Sequence, residues 1–288
     1  MNIKKFVFNE RITSLLIDPR FIEEGLIFAK ECNYTSITIS DLNEQNNSIY
    51  FLDLSPFEGD RFIKELSISD NFRVGKLKLD AIYTMNNLIS LSFTDKKINL
   101  DYSKLADLET LYIKYNGSLT NFSSLNKLTD LRIVSLKERD CSALEGLISL
   151  TNLRISGSME SLRGIEKLSN IDTLTIFRSP KLNNIVDIGK LPKLRRLHIE
   201  SCAKLRDFSF LANNNSIEDW FITDLDSISF VESMTKIRKI YFWNLKDGDI
   251  SPALRSKSLE QIIFSTDKKH YSHTQSEVKS ILKSKSFV

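Results

Sequence analysis

The feature that most constrains this chain is a spacing. Residues 182–199 read LNNIVDIGKLPKLRRLHI, with apolar side chains three apart at Leu182, Ile185, Ile188, Leu191 and Leu194, then at Leu197 and Ile199. A period of three suits a 3₁₀-like turn, where residues i and i+3 eclipse. The step of two from Leu197 to Ile199 suits a short strand, whose alternate side chains share a face. An α-helix would need steps alternating between three and four, because strict threes drift about 60° per step around its axis. The unit therefore reads as a tight turn on one side and a strand on the other. The threes recur at Cys141, Leu144, Leu147 and Leu150, at Met159, Leu162, Ile165, Leu168 and Ile171, and at Leu225, Ile228, Val231, Met234 and Ile237.

The strand signature, apolar-x-x-apolar-x-apolar, begins at Tyr34, Ile63, Leu88, Leu108, Leu128, Leu150, Ile171, Leu194, Ile217, Ile237 and Leu259. The last eight steps are 20, 20, 22, 21, 23, 23, 20 and 22 residues, and the first two are 29 and 25. On these residues the chain resembles bacterial leucine-rich repeat proteins of the short internalin type, whose unit is L-x-x-L-x-L-x-x-N/C-x-L. The resemblance is close from Leu88 to Phe264 and loose from Tyr34 to Ile68. It implies an α/β repeat solenoid with a parallel concave sheet, a mainly 3₁₀ or irregular convex side, and a cap at each end. The Asn or Cys of the motif falls on Asn116 and Cys202, but on Leu136, Ser158, Ser179, Leu225 and Leu245 in other turns. The internal hydrogen-bond ladder is thus expected to be incomplete, or completed by serine hydroxyls and water.

The ends depart from the repeat. Residues 1–33 read as an N-terminal cap, with short strands over 3–17 and a helix opened by Asp18-Pro19, Asp18 as its N-cap. Phe21, Ile22, Leu26, Ala29 and Cys32 would form the apolar stripe of that helix. Residues 34–264 form the solenoid of about 10–11 turns, and 265–288 a C-terminal cap. Within that cap, Thr274 and Glu277 stand as a capping box ahead of Val278, Ile281 and Leu282. A solenoid needs such caps because its outermost turns would otherwise expose half a core.

Composition narrows the function classes. With 41% apolar and 27% charged residues, the chain is expected to fold rather than remain disordered. A net charge of +3 over 288 residues does not mark a chain built to neutralise a nucleic-acid backbone. Cys32, Cys141 and Cys202 are scattered and form no C-x-x-C, which fits a reducing compartment. At the N-terminus the apolar run is only Phe6-Val7-Phe8, well short of the ~7–15 residues of a secretory core. No run approaches the ~20 residues of a membrane span. The expectation is a cytoplasmic protein without signal peptide or anchor, and with no membrane partner.

Catalytic signatures are missing. There is no G-x-G-x-x-G and no G-x-x-x-x-G-K. His270 and His273 form an H-x-x-H with no third His or Cys beside it, too few ligands for a structural zinc site. Cys202 is near His198 in sequence, but the repeat buries Cys202 and turns His198 off the strand, which argues against a dyad. The chain reads as a non-enzyme, with no catalytic residue, cofactor or metal expected.

What remains is a surface. Side chains alternate along a strand, so outward-facing positions form ladders across the turns. The central ladder is Thr38, Ser67, Ser92, Tyr112, Arg132, Arg154, Thr175, His198, Phe221, Tyr241 and Ile263. Its neighbour is Ser40, Ser69, Thr94, Lys114, Val134, Ser156, Phe177, Glu200, Thr223, Trp243 and Ser265. The candidate protein-binding residues are Tyr112, Lys114, Arg132, Arg154, Phe177, His198, Phe221, Tyr241 and Trp243. Aromatic residues and arginine dominate interface energies, although such aromatics also pack on one another across strands. The resemblance implies a protein-recognition module, and the chain is expected to be a monomer when unbound. With no added domain in view, the expectation extends to a bacterial immunity or inhibitor protein that masks a toxin or enzyme. Two alternatives stay open: a nucleic-acid binder through Lys114, Arg132 and Arg154, aided by Arg196 and Lys239, and a minor enzyme or metal site at His270 and His273.

Overall fold

The structure, a computed structural model, describes residues 3–43 and 49–285, with the backbone alone at 94–97. The first two residues of the expected N-terminal cap, the last three of the C-terminal cap and the Thr94 side chain lie outside the described residues. Two compact units, Met1–Val134 and Ser135–Val288, divide the chain. Each is a repeat α/β solenoid of leucine-rich-repeat type, with parallel strands on the concave side and short 3₁₀ elements on the convex side.

The first unit opens with β1 (Phe6–Asn9) antiparallel to β2 (Ser14–Ile17). From β2 the sheet continues in parallel through β3 (Ser36–Ile39), β5 (Glu65–Ile68), β7 (Ser90–Lys97), β8 (Thr110–Lys114) and β9 (Asp130–Leu136), whose last two residues pass the unit boundary. The two long steps have a structural cause. They carry β4 (Ile49–Asp53) and β6 (Arg73–Lys78), which pair with each other as a separate two-stranded parallel sheet. The extra residues of those turns thus build a second strand.

The helix α1 (Ile22–Glu31) buries Ile22, Leu26 and Ala29, while Cys32 is exposed. Its N-cap is Phe21, not Asp18. The Asp18 side chain is fully buried and turns instead to Arg20 (Nε to Oδ1, 2.7 Å) and Asn43 (Nδ2 to Oδ2, 2.7 Å). A carboxylate with those two donors is better satisfied there than on the first turn of a helix.

In the second unit the strands β10 (Asn152–Gly157), β11 (Thr173–Phe177), β12 (Arg196–Glu200), β13 (Asp219–Leu225), β14 (Lys239–Leu245) and β15 (Gln261–Phe264) all pair in parallel. Between strands the period of three closes 3₁₀ hydrogen bonds. Leu144 donates to Cys141 (2.9 Å), Leu147 to Leu144 (3.0 Å) and Leu150 to Leu147 (3.1 Å), and the pattern repeats from Leu162 to Ile171. Each apolar residue of the run therefore points the same way, into the core.

Two rows of strand residues complete that core: Leu153, Leu174, Leu197, Trp220, Ile240 and Ile262, and Ile155, Ile176, Ile199, Ile222, Phe242 and Phe264. All twelve are buried. At about 1.5–3 kcal/mol per buried large apolar side chain, these rows are the main stabilising element of the unit. The motif's Asn/Cys position is filled unevenly. Ser179 accepts from the Gly157 N–H and donates to the Phe177 carbonyl, whereas Leu136, Leu225 and Leu245 simply add to the core.

Two helices complete the unit, α2 (Ser251–Arg255) and α3 (Gln275–Lys285). Thr274 and Glu277 make the reciprocal bonds of a capping box: the Thr274 N–H donates to Glu277 Oε2 (2.7 Å) and the Glu277 N–H to Thr274 Oγ1 (3.3 Å). Val278 and Leu282 are the buried residues of α3.

Candidate protein-binding face

The strand register decides which outward residues are neighbours. In the first unit it aligns Thr38, Ser67, Ser92, Tyr112 and Arg132 across five strands. In the second it aligns Arg154, Thr175, His198, Phe221, Tyr241 and Ile263. The central ladder is therefore continuous within each unit. The neighbouring ladder is not. A bulge after Phe93 brings Lys97, not Thr94, opposite Lys114. Ser40, Ser156 and Thr223, expected outside, are buried. In β10 and β13 two successive residues turn inward, Ile155 with Ser156 and Ile222 with Thr223, so strict alternation fails near the strand ends. Ser156 is drawn in as a partner, its hydroxyl accepting from the Ser135 N–H at 3.3 Å.

The aromatic residues of the second unit stack. His198 and Phe221 are nearly parallel with centroids 4.1 Å apart. Phe221 tilts on Tyr241 at 4.9 Å and meets Trp243 edge-on at 6.1 Å. Each Phe–Tyr or Phe–Trp pair of this kind contributes about 0.5–1.5 kcal/mol beyond area burial, so the rings support one another before any partner arrives. It is also open. Trp243 keeps 39% and Ile263 37% of its surface, and His198, Phe221 and Tyr241 are half-buried. Phe177 lies one strand and one ladder away, opposite Glu200, whose carboxylate is 3.2 Å from His198 Nε2.

The polar candidates sit differently. Tyr112, in the first unit, donates its hydroxyl to Asp130 at 3.1 Å. Lys114 and Arg132 in that unit and Arg154 in the second are all half-buried. Arg196 is tied to Asp172 (2.7 Å), which also holds Arg195. Burial alone would raise the Asp172 pKa, but the hydrogen bonds and charges of Arg195, Thr173 and Arg196 outweigh it and hold the carboxyl below its usual range. Arg195 and Arg196 thus share one carboxylate, which offsets part of their positive charge. Glu200 belongs to the neighbouring ladder, but Asp172 stands just before β11, outside both ladders, and only the pairing of adjacent turns brings it to Arg195 and Arg196.

The histidines have other employment. His270 meets the Leu245 carbonyl through Nε2 at 3.1 Å, and His273 meets Ser272 Oγ through Nδ1 at 2.9 Å. No three His, Cys, Asp or Glu side chains among the described residues cluster so as to hold a metal. Cys202 is buried with Sγ toward the Glu200 carbonyl, and burial raises its pKa. Burial likewise pushes the Cys141 thiol up to about 12. Neither thiol is a ready nucleophile.

No protein-family description matches the chain, and no curated protein matches it by sequence. Solved structures do match its shape. An internalin from Listeria monocytogenes superposes with a TM-score of 0.59 at 21% identity, over 89% of this chain and 74% of the internalin. The protein of the TLR13–ssRNA13 complex superposes with a TM-score of 0.62 at 16% identity, over 86% of this chain and 38% of its own. At these identities the likeness is one of fold: the chain has the leucine-rich-repeat fold.

Proposed function

We propose that the chain is a non-enzymatic recognition solenoid that binds another protein on the strand face of its second unit. The observation that carries this reading is the stacked, half-open cluster of His198, Phe221, Tyr241 and Trp243, continued in register by exposed Ile263. An apolar patch of this kind costs free energy in water and repays it when a partner covers it. Because the rings are fixed by one another, little side-chain entropy is lost on binding. Phe177 and Arg154 extend the patch within the same unit, while Tyr112, Lys114 and Arg132 offer a polar face on the first. In the finer form of the proposal the protein works in the cytoplasm as a monomer and masks a toxin or an enzyme, the use to which a preformed, motif-free surface is best suited.

The test is capture of partners from a lysate of the source cell by the wild type and by the variant Phe221→Ala/Tyr241→Ala/Trp243→Ala, with circular dichroism to verify the fold. One protein retained stoichiometrically by the wild type and at least tenfold less by the variant is the expected result. Equal retention by both would remove the strand face from the reading. Retention of nucleic acid, with binding that falls steeply with salt, would replace the protein partner by the alternative ligand.

A further inference from the structure

A cavity of the second unit borders the aromatic cluster at Ile263, the residue paired with Tyr241. It is a groove of about 1380 Å³ in the second unit, walled by α3 on one side and by the starts of β14 and β15 on the other. Its lining counts seven Lys or Arg against two Glu, Glu218 and Glu260. Glu260 is already paired with Arg238 through two bonds of 2.9 and 3.0 Å. The Lys236, Lys257 and Lys279 side chains make no hydrogen bond or ion pair among the described residues, and all three are exposed. Leu259, Ile262 and Leu282 contribute an apolar floor, 6, 6 and 7% exposed, where the equivalent Ile237 and Ile240 of the preceding turn keep 0 and 1%. The end of the core is thus not fully sealed by α3, and unpaired lysines stand around the opening.

We propose that this groove receives an acidic, partly apolar segment of a protein partner. Charge complementarity names the sign of the occupant: a net excess of five positive charges among the lining residues, seven less two, calls for carboxylates. The floor asks for apolar side chains between them. A small metabolite is too small, since such sites enclose about 300–1,000 Å³. Single-stranded nucleic acid is held by stacking on aromatic rings, and no Phe, Tyr or Trp lines the groove. The site shares the outward strand residues Lys239, Gln261 and Ile263 with the strand face but none of the four rings of the cluster, so it can be tested separately from the aromatic cluster.

The probe is a phage-displayed library of random dodecapeptides selected on the whole protein. The recovered peptides are expected to carry more Asp and Glu than Lys and Arg, interspersed with apolar residues. The strongest of them, labelled and followed by fluorescence anisotropy, should bind at least tenfold more weakly to Lys236→Glu/Lys257→Glu/Lys279→Glu. Its affinity should stay within twofold for Phe221→Ala/Tyr241→Ala/Trp243→Ala. The milder Lys→Gln triple serves if charge reversal disturbs the fold, with at least a threefold loss expected. Peptides without acidic excess, unchanged affinity in the lysine variants, or displacement of the peptide by an equal concentration of a twelve-nucleotide oligothymidylate would each overturn the proposal. A loss confined to the aromatic variant would place the peptide on the strand face and overturn it as well.

Discussion

At the scale of single residues, the two tryptophans show how position in the repeat decides what a side chain does. Trp220 occupies an inward strand position and packs against Phe208 and Phe230, with centroids 5.1 and 5.6 Å away. Trp243 occupies an outward one and is the most exposed member of the aromatic cluster. Trp220→Ala should therefore cost about 3–5 kcal/mol, as expected of a core aromatic, and Trp243→Ala less than about 1 kcal/mol. Urea unfolding followed by circular dichroism measures both. A second residue-level prediction concerns Asp18. Burial tends to raise its pKa, but its bonds to Arg20 and Asn43 and the charge of Arg20 prevail, so it lies below the usual carboxylate range. A carboxyl depressed in the folded state contributes stability that is complete above its unfolded pKa, near 4. That stability is lost as pH falls through the lower folded value. The urea midpoint should drop as pH falls below about 4, and Asp18→Asn should flatten that drop while lowering stability at pH 7. Parallel profiles for the two proteins would show that Asp18 does not set the acid response.

At the scale of elements, the turn and strand of each repeat were legible because both periods are printed in the apolar residues themselves. The departures had other causes. The β4–β6 pair arises from two longer turns whose extra residues carry no repeat signature. Ser156 turns inward because it accepts the Ser135 N–H from the preceding turn, a long-range demand that no local pattern encodes. The same crowding between turns is severe at Gly157, the last residue of β10. A Cβ there would stand 1.9 Å from the Leu136 carbonyl oxygen, and the Ser158 N–H already donates to that oxygen at 2.8 Å. Gly157→Ala must push two turns apart and should destabilise by at least about 2 kcal/mol, since it combines overpacking with loss of a backbone bond. Gly189→Ala, where the nearest atom to a new Cβ is a Phe210 ring carbon at 3.8 Å, should be nearly neutral. Thermal melts of the pair check the contrast. The aromatic patch was legible as a row, but its binding role rests on exposure and ring geometry, which spacing alone does not supply.

At the scale of the molecule, a repeat architecture predicts how damage travels. Each turn of the second unit touches its sequence neighbours through strand pairing and through the apolar rows, so stability is a sum of turn and nearest-neighbour terms. Leu174, buried in the middle of β11 between Leu153 and Leu197, belongs to both interfaces of its turn. Leu174→Ala should cost about 2–5 kcal/mol from the cavity it leaves. Amide hydrogen exchange by mass spectrometry should then show faster exchange in β10, β11 and β12, while β14 and β15, two or more turns away and joined by Phe242 stacked on Phe264, change little. That gradient is the consequence of local coupling: opening one turn exposes the faces of two others, and the free energy to open the rest is unaltered. Uniform acceleration from β10 to β15 would mean instead that the unit opens as one block. The aromatic cluster would then be held by the whole unit rather than by β12–β14, and a distant core substitution would weaken partner binding as much as one beneath the rings.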